Sequence, residues 1–223
     1  MRSLSDLFRN FLQLGYVADD IDAAAAFLQS SMGTGKCLVS YGSSLGGGRP
    51  PAGPGSTGSP VGPGSQRPPF VVVDGKPADE WMIDVALVNA GPVNLEVIRP
   101  VDGAVDLYRD GVRPGAPVTL HHVGFVVDDF DEASAIVAAS GRRWKQFGDS
   151  GEIRFGYLDM RAELGHFVEV MELGQPAAQW MAQIDAASAV SLAAVRLRDM
   201  RLRDVILKSR LTGTPHQAEW LSR

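Results

Sequence analysis

A single cysteine, Cys37, in 223 residues rules out an intramolecular disulfide framework. Cysteine this scarce fits a reducing compartment. A basic excess is missing too: 21 Lys and Arg stand against 26 Asp and Glu, a formal charge of −5, which argues against bulk nucleic-acid binding. No stretch approaches the ~18 consecutive apolar residues of a membrane span. The opening MRSLSDLFRN holds no apolar signal-peptide core. A cytoplasmic protein with neither a membrane nor a nucleic-acid partner is therefore expected. Cys37 itself reads as a small apolar residue in a strand. Apolar residues are plentiful, at 45% of the chain, enough for a sizeable core in one domain or two small ones.

The chain divides at its glycines and prolines. Residues 11–18 alternate as a strand, and Asp20 can cap a helix over 21–32 that ends near Gly33. A strand over 36–41 follows. The stretch 42–69, with GGG, PP and PGSTGSP, has almost nothing to bury and reads as a flexible insertion. It lacks the Lys-Ser/Thr of a phosphate-binding loop. Phe70–Val73 can start a further strand. Trp81–Asn89 and Val93–Ile98 are stronger strands, joined by Ala90-Gly91-Pro92. After a connector at 100–118 come a strand over 119–127 and a helix over 130–140, with Asp129 as N-cap, Glu132 as capping-box partner and Gly141 past its end. Strands at 144–147, 153–160 and 167–172 complete the second half. The remainder, 174–223, is Ala-rich, then basic through Arg196, Arg198, Arg201, Arg203, Lys208 and Arg210, and is expected to be a solvated helical tail.

Each half thus reads strand, helix, strand, strand, strand. Leu12-Gln13-Leu14-Gly15-Tyr16-Val17-Ala18-Asp19-Asp20 aligns with His121-His122-Val123-Gly124-Phe125-Val126-Val127-Asp128-Asp129 on the glycine and the paired aspartates, which suggests an internal duplication. The last strands also correspond, Asn94-Leu95-Glu96-Val97-Ile98 with Phe167-Val168-Glu169-Val170-Met171. Gln13, Glu96, His122 and Glu169 occupy equivalent mid-strand places between apolar neighbours. Because strand side chains alternate faces, these four point away from the helices into one concave face. A lone glutamate or histidine in a strand is ordinarily a solvated or satisfied polar residue. Two buried carboxylates converging with an imidazole and an amide oxygen call for a divalent cation. Strict alternation turns His121 to the opposite face, so it is not expected to be a ligand. His166 has opposite parity to Glu169 and is expected at a strand entrance.

These motifs, with Gly165-His166-Phe167-Val168-Glu169, resemble the vicinal oxygen chelate superfamily: the glyoxalase, bleomycin-resistance and extradiol-dioxygenase group. The resemblance covers residues 10–173 and is strongest to the glyoxalase I-like branch that includes methylmalonyl-CoA epimerase. It implies an α+β fold in which paired βαβββ modules form a curved mixed sheet around one metal. The first module spans 10–99, the connector 100–118 and the second module 119–173. The resemblance implies Gln13, Glu96, His122 and Glu169 as ligands to one divalent ion (Zn, Ni, Co, Mn or Mg), a set similar to that of one kind of glyoxalase I. Epimerases commonly carry His in place of Gln13 and Gln in place of Glu96, so this chain departs from them there.

With two glutamates offsetting a dication, such a site suits proton abstraction next to a carbonyl, through a metal-bound enediolate or enolate. Glu169 or Glu96 would serve as base, and Glu169 matches the base of glyoxalase I-like enzymes. A lyase or isomerase acting on an α-hydroxy thioester, hemithioacetal or acyl-CoA-like small molecule is expected, in a homodimer. Two alternatives remain open. One is a metal-free drug-binding protein of the bleomycin-resistance type. The other is an extradiol-type dioxygenase, which needs two histidines and a carboxylate on iron.

Overall fold

The structure, a computed structural model, describes residues 3–45, 69–174 and 184. Most of the Gly/Pro-rich insertion and nearly all of the basic tail lie outside the described residues. Leu4–Phe8 forms a 3-10 turn. The strands are β1 (Phe11–Val17), β2 (Leu38–Ser44), β3 (Phe70–Val73), β4 (Lys76–Pro77), β5 (Trp81–Ala90), β6 (Val93–Gly103), β7 (Thr119–Val126), β8 (Gln146–Asp149), β9 (Ile153–Met160) and β10 (His166–Leu173). The helices are α1 (Ile21–Ser31), α2 (Asp106–Arg109), α3 (Phe130–Ala139) and α4 (Arg161–Leu164).

Both long helices begin where an aspartate takes up orphan backbone donors. Asp20 accepts from the N–H groups of Asp22 and Ala23 at 3.0 and 2.9 Å. Asp129 accepts from those of Asp131 and Glu132 at 2.8 and 3.0 Å. Both end before a glycine in the left-handed region, Gly33 at φ 65° and Gly141 at φ 76°. Helix α1 buries Ile21, Ala24, Ala25 and Leu28; α3 buries Phe130, Ala133, Ile136 and Val137. These are single stripes at helical spacing.

The strands form one mixed ten-stranded sheet in the order β2-β5-β6-β1-β7-β10-β9-β8-β3-β4. Its first eight strands are two βαβββ modules. In each, the first strand runs parallel to the last, β1 with β6 and β7 with β10, and β1 pairs antiparallel with β7 where the modules meet. The β3–β4 hairpin, which lies in the first half of the chain, pairs with β8 at the edge of the second module.

Alternation sorts the side chains. Leu95 and Val97 pack under α1, and Val168 and Val170 pack under α3. The residues between them turn to the other face, where Val17, Ile98, Phe155 and Met171 share a third cluster with Tyr108. Each fully buried aliphatic side chain contributes roughly 1.5–3 kcal/mol. That face lines a cavity, which touches Ser40 and Ser43 of β2 and Phe155 and Tyr157 of β9. Strands so far apart in the sheet order can share one cavity only if the sheet curls around it.

Candidate metal centre

The four expected ligands lie on that concave face, on the four central strands. Gly15 pairs with both Glu96 and His122; Gly124 pairs with both Gln13 and Glu169. Residues directly opposite each other in a sheet project to the same side, so all four share it. Glu96, His122 and Glu169 bring one ligand atom each within 4.8 Å of one another. His122 Nε2 lies 3.3 Å from a Glu96 carboxylate oxygen and 3.2 Å from one of Glu169.

The two glycines make room for this. A Cβ on Gly15 would lie 1.8 Å from the His122 ring. A Cβ on Gly124 would lie 3.1 Å from Gln13 Cβ and 3.3 Å from its Oε1. The glycine repeated in both halves of the sequence therefore lies beneath the partner module's expected ligand, Gly15 under His122 and Gly124 under Gln13.

Gln13 and His122 are each turned by a buried polar neighbour. Asn94 donates from Nδ2 to Asn89 Oδ1 at 2.8 Å, which leaves its own Oδ1 to accept from Gln13 Nε2 at 2.9 Å. Gln13 Oε1 is thereby left over. His121 Nε2 lies 2.9 Å from the Leu107 carbonyl, which can only accept, so His121 carries its proton on Nε2. Its Nδ1 then accepts from His122 Nδ1, 3.0 Å away, and the Nε2 of a neutral His122 is a bare lone pair. Gln13 Oε1, His122 Nε2 and Glu169 Oε2 are among the buried polar atoms without a hydrogen-bond partner, as are Trp81 Nε1, Thr119 Oγ1 and Gln146 Oε1. Unpaired buried acceptors are costly; in the neutral form of His122 the first three sit on three of the four expected ligands, and in the protonated form Nε2 faces Glu169 at 3.2 Å. The donor set of amide oxygen, imidazole and two carboxylates fits a divalent ion of the N/O-binding kind.

Residues 12–157 match the sequence model of the Glyoxalase/Bleomycin resistance protein/Dioxygenase superfamily. The chain belongs to this superfamily. Solved structures it is similar to include methylmalonyl-CoA epimerase from Mycobacterium tuberculosis, at 12% identity and TM-score 0.41, covering 76% of this chain and 91% of that one. A methylmalonyl-CoA epimerase in complex with methylmalonyl-CoA and NH4+ gives 15% identity, TM-score 0.42 and coverage of 74% and 95%. A hypothetical protein from Bacillus halodurans gives 12% identity, TM-score 0.42 and coverage of 74% and 95%. Likeness at this level assigns no activity. No curated protein matches the chain.

In this superfamily member, strand alternation fails at one place that matters. Gly15 pairs with His122 but the next residue, Tyr16, pairs with Leu120, so His121 is the extra residue of a β-bulge. The bulge returns His121 to the concave side, contrary to the expectation from parity. There its ring packs 4.8 Å from Phe167 and 5.2 Å from Tyr108, centroid to centroid. It is still outside the ligand group, because both of its nitrogens are engaged. His166 opens β10, half-buried, with Nδ1 turned to its neighbour's carbonyl.

Burial alone would lower the His122 pKa. The two carboxylates, Glu169 foremost, outweigh burial and push it up to about 9. Burial takes His121 the other way, down to about 3, helped by the charge on His122. Glu96 is raised by burial, with His122 opposing and Glu169 adding to the rise.

Above the four residues stands a cavity of about 450 Å³ with Glu96 and Glu169 in its wall. Trp81, Tyr108, Phe155 and Tyr157 also line it, and the sequence alone singled out none of them. The Tyr108 hydroxyl accepts from Gln146 at 2.8 Å, and burial holds the Tyr108 and Tyr157 hydroxyls well above the usual phenol range, hence neutral. Only a buried aromatic in the connector could have flagged Tyr108. Arg109 pairs with Asp106, Arg154 with Asp131 and Glu172, and Arg161 with Asp159; none of them lines the cavity. Cys37 is half-buried, and burial raises its thiol pKa, as suits an unreactive residue. No helix among the described residues is long and apolar enough to cross a membrane.

Proposed function

We propose that this chain is a divalent-metal-dependent enzyme of the glyoxalase I and epimerase type, which removes a proton next to a carbonyl. The observation that carries this reading is the convergence of Glu96, His122 and Glu169, whose ligand atoms lie within 4.8 Å of one another, with Gln13 beside them on the same face of the sheet. Gln13, Glu96, His122 and Glu169 would hold the ion. When bound, the ion supplies a Lewis acid that polarises a substrate carbonyl. Glu169 takes the α-proton on its carboxylate and returns it, for isomerisation to the adjacent carbon or to the other face of the same one. Glu96 remains as the balancing charge.

The extradiol alternative lacks support in the geometry. It needs a second histidine nitrogen, and both nitrogens of His121 are spent on Leu107 and His122.

The test is metal content followed by exchange. Native protein should carry about one divalent ion per chain by elemental analysis. It should exchange the α-proton of a turnover substrate, from a panel of hemithioacetals and 2-substituted acyl thioesters, with deuterated water. Glu169→Gln should keep most of the metal, because its amide oxygen still coordinates, and lose exchange by about 10²–10⁴-fold. Lost exchange in Glu96→Gln beside unchanged exchange in Glu169→Gln would reverse the two roles. A metal-free native protein would sink the reading and favour sequestration of a small molecule.

A further inference from the structure

The walls of the cavity restrict what can be held against this centre. The charged residues among those that line it are Glu96, Glu169 and Glu152, and all are acidic. Among the described residues no lysine or arginine faces it. A cation bound by Glu96 and Glu169 cancels their charge and leaves Glu152, exposed at the rim, uncompensated.

Between the rim and the acidic floor the wall is apolar. The His122 ring lies 5.2 Å from Tyr157, Tyr157 lies 5.8 Å from Tyr108, and Tyr108 lies 6.1 Å from Trp81. Tyr157, Tyr108 and Trp81 all belong to the cavity wall. Phe155 joins it, 6.0 Å from Tyr157 and 6.3 Å from Trp81. Ile83, Ile98 and Met171 also line the cavity. The hydroxyls of Ser40 and Ser43, 3.0 Å apart, add polarity at β2 without charge. Aromatic walls bind flat apolar bodies well, whereas a carboxylate or phosphate placed there would lose its water and find only acidic neighbours.

We infer that the part of the ligand held inside this cavity is an uncharged aromatic or branched-aliphatic body whose adjacent oxygens face Glu96 and Glu169. Dicarboxylates and phosphorylated sugars are excluded from it. This inference rests on the proposed reading for the orientation of the ligand, but the charge preference belongs to the walls and holds without the ion.

Three small probes of similar headgroup separate these points. 2-Hydroxyacetophenone carries the oxygen pair and a neutral ring. 4-(Hydroxyacetyl)benzoate adds one carboxylate to that ring. Hydroxyacetone has the oxygen pair and no ring. Binding is measured by calorimetry on the full chain, both metal-loaded and stripped with a chelator. The neutral aromatic is expected to bind at least tenfold tighter than either of the others in loaded protein, and to keep its advantage over the benzoate in stripped protein. Glu152→Lys, a change at the exposed rim, should reduce that advantage severalfold. Tighter or equal binding of the benzoate overturns the inference, as does equal binding of hydroxyacetone, no binding of any probe, or a ratio unmoved by Glu152→Lys. Loss of metal binding with the ratio intact would instead defeat the enzymatic reading and leave the cavity's preference standing.

Discussion

At the residue scale, the site depends on which nitrogen of His122 carries a proton. Leu107 sets His121, and His121 sets His122, through contacts of 2.9 and 3.0 Å. Partners that orient a ligating histidine are typically worth about 10–100-fold in metal affinity. His121→Phe keeps a ring against Phe167 and Tyr108 but removes the acceptor. It should weaken metal binding by about that factor, while His122→Ala should drop bound metal well below half per chain; both are read by competition with a chelator. Equal retention in the two variants would refute the arrangement. The protonation of His122 sets a pH dependence. Its pKa in the metal-free fold is raised to about 9, so at neutral pH the ion must displace a proton. Apparent affinity should rise about tenfold per pH unit and level off above pH 9. Calorimetry in buffers of different ionisation enthalpy should show close to one proton released per ion at neutral pH. The same raised pKa stabilises the metal-free fold. That contribution is complete below the ordinary histidine value of 6.5 and is lost as pH rises through about 9.

At the scale of elements, the two central strands β1 and β7 carry the site because each offers a glycine to the other. Gly15→Ala would put a methyl 1.8 Å from the His122 ring. That ring is boxed in by Tyr157 and His121, so it cannot swing clear. Overpacking of this kind costs roughly 1–3 kcal/mol, and urea titration should show it, together with lost metal. Full stability and full metal content in Gly15→Ala would show that the ring is free to move. Helices α1 and α3 were legible from Asp20, Asp129, Gly33 and Gly141, because capping is local chemistry between residues a few positions apart. The bulge in β7 was not legible. Nothing in Leu120-His121-His122 marks an extra residue, since a bulge is set by how β7 must register against β1.

For the whole molecule, the proposed centre draws on both modules, so metal binding there would be linked to folding. Gln13 and Glu96 come from one βαβββ unit, His122 and Glu169 from the other, so the unfolded chain holds no preformed site. At a free metal concentration of about 100 times Kd, stability should rise by about 2.7 kcal/mol, and the rise should vanish in His122→Ala. Thermal melts with and without metal decide it; an equal shift in that variant would place the ion elsewhere. The sequence by itself determined the duplicated βαβββ order, the helix caps, and the face on which Gln13, Glu96, His122 and Glu169 lie. Each of these rests on short-range periodicity or on repetition of the same signal in both halves. Tertiary structure decided the rest. It curled the sheet until β2 and β9 shared one cavity, carried the β3–β4 hairpin to the far edge against β8, and turned His121 to the same face as His122. It also aligned Trp81, Tyr108 and Tyr157 into one wall. Those outcomes depend on contacts between residues distant in the chain, where strand twist and packing against the partner module override the alternation that each strand carries alone.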